Sequence, residues 1–294
     1  MTGIILVDKP EGWTSHDVVA KLRGVLGESR IGHGGTLDPM ATGLLPVFVG
    51  RATRAVEFSV SVDKEYVAGL RLGMTTDTQD ITGARLTHSE VSVSDGQLRE
   101  ALRHFTGEQT QIPPMYSAIK VGGKRLYELA RSGIEVERQP RLINVRSIEL
   151  AGCVNGEYYL RVVCSKGTYV RTLCADIGGH LGCGGVMSSL RRTRVGTFGI
   201  LASHELGVIE GAMKNGEIDK LLLPVDTLFY DMPAAMADEA CEHRCKSGAR
   251  YACPEIGDGR YRVYSEGSGE FLMLGDAKDG YMKIGKTFFE VPAK

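Results

Sequence analysis

The sequence predicts an α+β chain in two parts, a mixed domain over residues 1–230 and a small all-β module over 231–294. Three observations carry this. GIILV at 3–7 is a short apolar strand, and after the turn DKPEG apolar residues recur at helical spacing. A second strand-to-helix junction occupies 157–181. The last sixty or so residues alternate apolar and polar positions between Gly, Asp and Ser turns, as in RYRVYSEGSGEFLMLG, which is the pattern of a small β-barrel. A length of 294 residues suits about two domains.

Taken in order, Ser15 is the expected N-cap of a helix whose buried face is Val18, Val19, Leu22, Val25 and Leu26. Residues 45–50 and 66–72 read as strands flanking a short helical stretch, and apolar spacing between Asp95 and Phe105 predicts another helix. The segment IPPMYSAIKVGGKRLYELA then offers a proline start, a basic Gly-Gly loop and a short amphipathic helix, inside an insertion spanning about 108–142. Loops this long and basic usually belong to function or to disorder. Residues 157–164 form a strand ending at SKG. TYVRTLCADIGGHLG follows as a helix, with Val170, Leu173, Ile177 and Leu181 on one face and Tyr169 and Arg171 in the first turn facing away. A cation at a helix start works against the macrodipole, so Arg171 requires a partner, and a carboxylate is the natural one. LLLPVDTLFYDMP at 221–233 closes the first part.

Hydrophobic content of 43% and charged content of 24% are those of a soluble globular protein. No apolar run reaches membrane-spanning length, and Ile4-Ile5-Leu6-Val7 is cut off by Asp8 and Lys9, so neither signal peptide nor anchor is expected and the reading is cytoplasmic. Net charge is -1, but residues 204–294 hold 11 basic and 16 acidic side chains, leaving 24 and 20 in residues 1–203. This asymmetry permits a polyanionic partner for the larger part, with basic clusters at Lys120-Lys124-Arg125 and Arg191-Arg192-Arg194. Seven cysteines without a signal peptide imply reduced thiols. Cys241, His243, Cys245 and Cys253 lack the paired spacing of a zinc site, so no metal is expected. TTDTQD at 75–80 reads as a solvated turn rather than a metal site.

GHGGTLDPMATGLLP at 32–46 surrounds one acid, Asp38, with four glycines and two prolines. Three readings are open: a tight surface loop, a phosphate cradle, or a catalytic carboxylate on a rigid loop. The cradle lacks both the Lys-Ser/Thr pair of a P-loop and a G-x-G-x-x-G.

DKPEGWTS, GHGGTLDPMATG, DKEYVAGLRLG, IPPMYSAIKVGGKRLYELA, SKGTYVRTLCADIG and LRRTRVG occur in this order. Together they resemble the successive signature segments of the TruB family of bacterial tRNA pseudouridine synthases, from about residue 3 to the C-terminus. The final module is similar, in pattern more than identity, to a PUA RNA-binding domain. Gly34 departs from the family, which more often has Thr there. The resemblance implies a catalytic domain with a largely antiparallel mixed sheet and a central cleft. It implies isomerisation of uridine 55 in the tRNA T loop, with no cofactor and no obligatory protein partner, by a monomer.

By motif position, the resemblance makes Asp38 the essential carboxylate, Arg171 its partner, and Tyr66 the residue that stacks on the target uracil and moves a proton. Tyr169 and Leu190 become further pocket walls, His33 inserts into the RNA loop, and Lys9 supports the active-site loop. Lys124 and Arg125, with the 191–194 cluster, contact phosphate. The glycines of the Asp38 loop are expected to let a nucleotide backbone come close. Taken singly, each residue has a plain structural reading: half-buried aromatics, a core leucine, a loop histidine, a solvated basic face. Competing functions are pseudouridylation of another RNA, an RNA-binding or tRNA-folding factor with secondary catalysis, and an enzyme of a phosphorylated metabolite, for which no nucleotide fingerprint is present.

Overall fold

The computed structural model describes residues 1–289; the last five residues of the expected C-terminal module lie outside them. Strand β1 (Gly3–Lys9) leads into helix α1 (Ser15–Leu26). The cap of α1 is Thr14, not Ser15: Thr14 Oγ1 accepts from Asp17 N at 3.0 Å and the Asp17 carboxylate accepts from Thr14 N at 2.8 Å. This reciprocal pair satisfies two orphan donors and leaves Ser15 free to bind elsewhere. β2 (Ile31–His33), β3 (Thr42–Val49) and the short helix α2 (Val56–Ser61) precede β4 (Lys64–Leu72). Next come the hairpin β5 (Met74–Thr76) and β6 (Arg85–His88), helix α3 (Asp95–His104) and β7 (Gly107–Gln111). A small hairpin, β8 (Lys120–Val121) and β9 (Lys124–Arg125), carries α4 (Leu126–Arg131). β10 (Arg141–Val154), β11 (Glu157–Cys164), α5 (Val170–His180), β12 (Gly185–Val195), β13 (Phe198–Gly199) and α6 (Leu206–Lys214) complete the first part.

Nine strands form one sheet ordered β1-β3-β12-β4-β11-β10-β7, with β2 on β3 and β13 on β12. Every pairing is antiparallel except β3 with β12. The expected fold class therefore holds. Because β7 belongs to the sheet, the segment outside it runs over 112–140 rather than 108–142. Alternation of apolar and polar residues does not reveal β12: its pairing with β4 shifts register between Met187 and Ser189 and again between Arg192 and Arg194. A bulge moves later side chains to the opposite face, which breaks the period of two.

Helices α3 and α5 cover the sheet through Leu98, Leu102, Leu173 and Ile177, against Leu70, Leu160 and Val162. Helices α1 and α6 pack Val18, Leu22 and Ile209 on Ile5, Val7 and Val47. Residues 234–287 hold β14 (Ala234–Ala237), α7 (Glu239–Ser247), β15 (Tyr251–Ala252), β16 (Gly259–Ser265), β17 (Phe271–Lys278) and β18 (Tyr281–Thr287). The order β14-β16-β17-β18-β15 leaves two edges, so the module is a curled half-barrel of PUA-like type rather than a closed barrel. It docks on the first part through Phe271, Leu274 and Phe288 against Phe58 and Phe229.

Candidate active site

The loop carrying Asp38 is tied to the DKPEGWTS segment at both ends. Leu37 N donates to the Ser15 hydroxyl at 2.8 Å, and Gly12 N donates to Pro39 O at 2.8 Å. The buried Lys9 ammonium donates to Pro10 O, Trp13 O and Pro39 O at 2.8, 2.7 and 3.3 Å, which links it to the residue after Asp38. The glycines have a different reason from the expected one. A Cβ on Gly34 would lie 2.2 Å from Ser59 Oγ, and one on Gly43, at φ 99°, would lie 2.4 Å from Arg192 O. Glycine lets the loop close against the protein's own helix α2 and strand β12. The space a threonine would need at 34 is filled here by the buried Ser59.

Arg171 is buried and its Nε lies 2.9 Å from Asp38 Oδ2, so the carboxylate demanded by a cation at a helix start is present. The rest of its fork is also engaged: Nη2 donates to Tyr116 O at 2.7 Å, and Nη1 lies 3.2 Å from Thr78 O and 3.4 Å from Asp80 Oδ2. TTDTQD is therefore not a solvated turn. Asp80 is 4% exposed, and its Oδ1 accepts from the Thr78 and Thr82 hydroxyls at 2.8 and 2.6 Å and from Thr82 N at 3.0 Å. Two acids in a Thr-rich stretch read as a turn, because burial of Asp80 comes from residues distant in the chain.

The Asp38 side chain stays 37% exposed and opens into a cleft of about 320 Å³, lined among others by Tyr66, Tyr169, Leu190, Lys64, Arg171 and Arg192. That is at the small end of ligand pockets, about 300–1,000 Å³, and fits one nucleotide base rather than a duplex. A larger depression at the root of the β5–β6 hairpin shares no lining residue with it. Burial in the cleft pushes the Asp38 carboxyl above its ordinary range, and the Arg171 guanidinium opposes that push. Burial also raises the Tyr66 and Tyr169 phenols, so both are neutral hydrogen-bonding groups at pH 7. Lys9 and Lys64 are lowered by burial to about 8.

His33, at the end of β2, does not line the cleft, and burial lowers its pKa, leaving a neutral ring. Lys124 and Arg125 are exposed on the β8–β9 hairpin, outside the cleft. The 191–194 cluster does not present one basic face: Arg192 is 1% exposed, while Arg191 is paired with Asp8 at 2.7 Å and Arg194 faces Glu65 at 3.8 Å. Cys241, Cys245 and Cys253 pack around Tyr251 in the half-barrel core, and among the described residues no group of three His, Cys, Asp or Glu side chains could hold a metal ion.

Known proteins share this fold. A chain of the solved Cbf5-Nop10-Gar1 complex superposes with a TM-score of 0.76 at 28% identity, covering 98% of this chain and 85% of that one. An H/ACA RNP bound to a substrate RNA containing 2′-deoxyuridine gives 0.74 at 26% identity over 98% and 85%. The fold and cleft are those of a pseudouridine synthase, an isomerase. The TruB family pseudouridylate synthase N-terminal domain matches residues 23–170, and the tRNA pseudouridylate synthase B C-terminal domain matches 171–230. Proteins named tRNA pseudouridine synthase B are 42% identical in Clostridium kluyveri (98% of this chain, 100% of that one) and 45% identical in Alkaliphilus oremlandii (99% and 99%). The chain belongs to the TruB family.

Proposed function

We propose that this protein isomerises uridine 55 in the T loop of tRNA to pseudouridine, as a monomer in the cytoplasm, with no cofactor and no obligatory protein partner. The observation that carries the reading is the Asp38–Arg171 pair, 2.9 Å apart, facing a cleft with room for one base. The names of the relatives support tRNA as the substrate. No helix of the described residues is long and apolar enough to cross a membrane.

The reaction breaks the N1–C1′ bond, turns the uracil and rejoins it through C5. Asp38 answers the positive character that develops at C1′, as nucleophile or counter-charge. Arg171 orients that carboxylate and limits the rise in its pKa. A uridine stacked inside folded RNA is out of reach of Asp38, so the nucleotide flips out at about a few kcal/mol. Stacking on Tyr66 returns about 1–3 kcal/mol of this. Tyr169 and Leu190 close the walls around the base, and His33 inserts into the RNA loop next to the displaced nucleotide. Lys124 and Arg125 hold phosphate outside the cleft.

Tritium placed at C5 of the target uridine in a T-arm RNA tests this reading, because C5 must exchange its hydrogen for the sugar. Release to water without added metal or nucleotide is expected from the wild type. Asp38→Asn keeps the side-chain size and should abolish release while RNA binding survives. Wild-type release by Asp38→Asn would remove Asp38 from the mechanism.

A further inference from the structure

Among the described residues four cations are nearly enclosed: Lys9, Lys64, Arg171 and Arg192, at 0%, 6%, 5% and 1% exposure. All four lie at the cleft or beneath its loop. Among the described residues, the carboxylates in direct ion pairs with these cations are Asp38 and Asp80, both on Arg171. Arg192 has none: its Nε donates to Leu44 O at 2.7 Å and its Nη2 to Gly35 O at 3.1 Å. Carbonyl dipoles solvate a cation but do not neutralise it, and an enclosed charge without a counter-charge is costly to keep. The cleft is thus electropositive before any ligand arrives.

The position of Arg192 narrows what the ligand charge can be. Arg192 and Tyr66 are directly opposed in the β12–β4 ladder and both line the cleft. With 1% exposure, Arg192 lines the cleft beside Tyr66 as an enclosed cation, not as an exposed one that a backbone phosphate would meet. The charge it meets arises inside, on the base. When the N1–C1′ bond breaks, its electron pair leaves with the uracil and the negative charge spreads over N1, O2 and O4, while Asp38 answers the electron-poor C1′. C5 of that anion then bonds to C1′, the C5 proton is lost and N1 gains one, so the sum is an isomerisation.

We propose that Arg192, with the Tyr66 phenol opposite it, is the positive pole that stabilises the detached uracil as an anion. This rests on the reaction proposed above. Groups aimed at developing charge in a dry site typically contribute about 100- to 1,000-fold in rate.

The test compares T-arm RNA carrying uridine or 5-fluorouridine at the target position, under single turnover, by loss of the target nucleoside from nuclease digests. Fluorine withdraws electrons, so the fluorouracil anion needs less help from the protein. Arg192→Met should slow uridine consumption about 100-fold and fluorouridine consumption at least several-fold less, while Arg192→Lys retains most of the rate. An equal deficit on both RNAs would overturn the proposal and make Arg192 a purely structural residue. A deficit confined to RNA affinity, with the bound-state rate unchanged, would overturn it in favour of a phosphate as the ligand. If Arg192→Met does not fold, Arg192→Gln carries the same comparison, since it removes the charge and keeps a donor for Leu44 O; a deficit that is equal on both RNAs again refutes. Failure of the wild type to release C5 tritium would instead sink the reaction itself.

Discussion

Replacing Asp80 by Asn isolates the second carboxylate on Arg171. The amide keeps the size of the carboxyl, and an oxygen remains to accept from Thr78, Thr82 and the backbone at residue 82, so the loop stays in place. What disappears is the charge 3.4 Å from Arg171 Nη1 in a site where both side chains are 6% exposed. Losing a partner of a buried pair outright costs about 3–5 kcal/mol. Here Asp38 at 2.9 Å and the carbonyls of Thr78 and Tyr116 remain on the fork. The loss is then closer to that of one charged hydrogen bond, about 1.5–3 kcal/mol. If it falls on the transition state, where Arg171 must hold Asp38 in register, the bound-state rate drops roughly 10- to 160-fold. Single-turnover tritium release at saturating enzyme measures this, with filter binding to show that affinity for the T-arm RNA is kept. A wild-type rate in Asp80→Asn would show that Asp38 and the carbonyls suffice to orient Arg171, and the reasoning from the buried pair would be wrong.

Charge reversal at Lys124 and Arg125 removes exposed cations from the β8–β9 hairpin, so tRNA binding should weaken and its dependence on salt flatten as fewer counterions are released; an unchanged slope would place the RNA elsewhere. Activity should also fall with an apparent midpoint of about 8 on the alkaline side, because burial lowers Lys9 and Lys64 to about 8. A neutral amine has two N–H groups where Lys9 now serves three carbonyls, and its longest bond, to Pro39 O at 3.3 Å, holds the Asp38 loop. Folding stability responds with the opposite sign: from pH 8 toward 10.5 the unfolded lysines bind more protons than the folded ones, so their contribution to stability rises with pH. The loss of activity should therefore appear without a fall in unfolding midpoint between pH 8 and 9, and an activity plateau through pH 9 would rule the lysines out.

What the sequence determined by itself was local or carried by contiguous motifs. The α+β class, helix α5, the terminal β-module and the TruB resemblance all came from patterns within a few tens of residues. Physics alone demanded a carboxylate for Arg171, because a cation at a helix start is misplaced against the dipole. Which acids answered it was decided in three dimensions: Asp38 is far away in the chain, and Asp80, 91 residues from Arg171, sat in a stretch whose composition reads as a turn. That the Ser15 hydroxyl serves Leu37 N, 22 residues on, while Thr14 caps the helix, was likewise decided in three dimensions. Arg192 shows the limit most plainly. In sequence it is one of three arginines in a basic cluster; in the fold it stands opposite Tyr66, its backbone closely approached by Gly43, and is 1% exposed. Helix propensity and period act between neighbours in the chain, whereas burial and charge pairing act between neighbours in space, and only the packed sheet determines which residues those are.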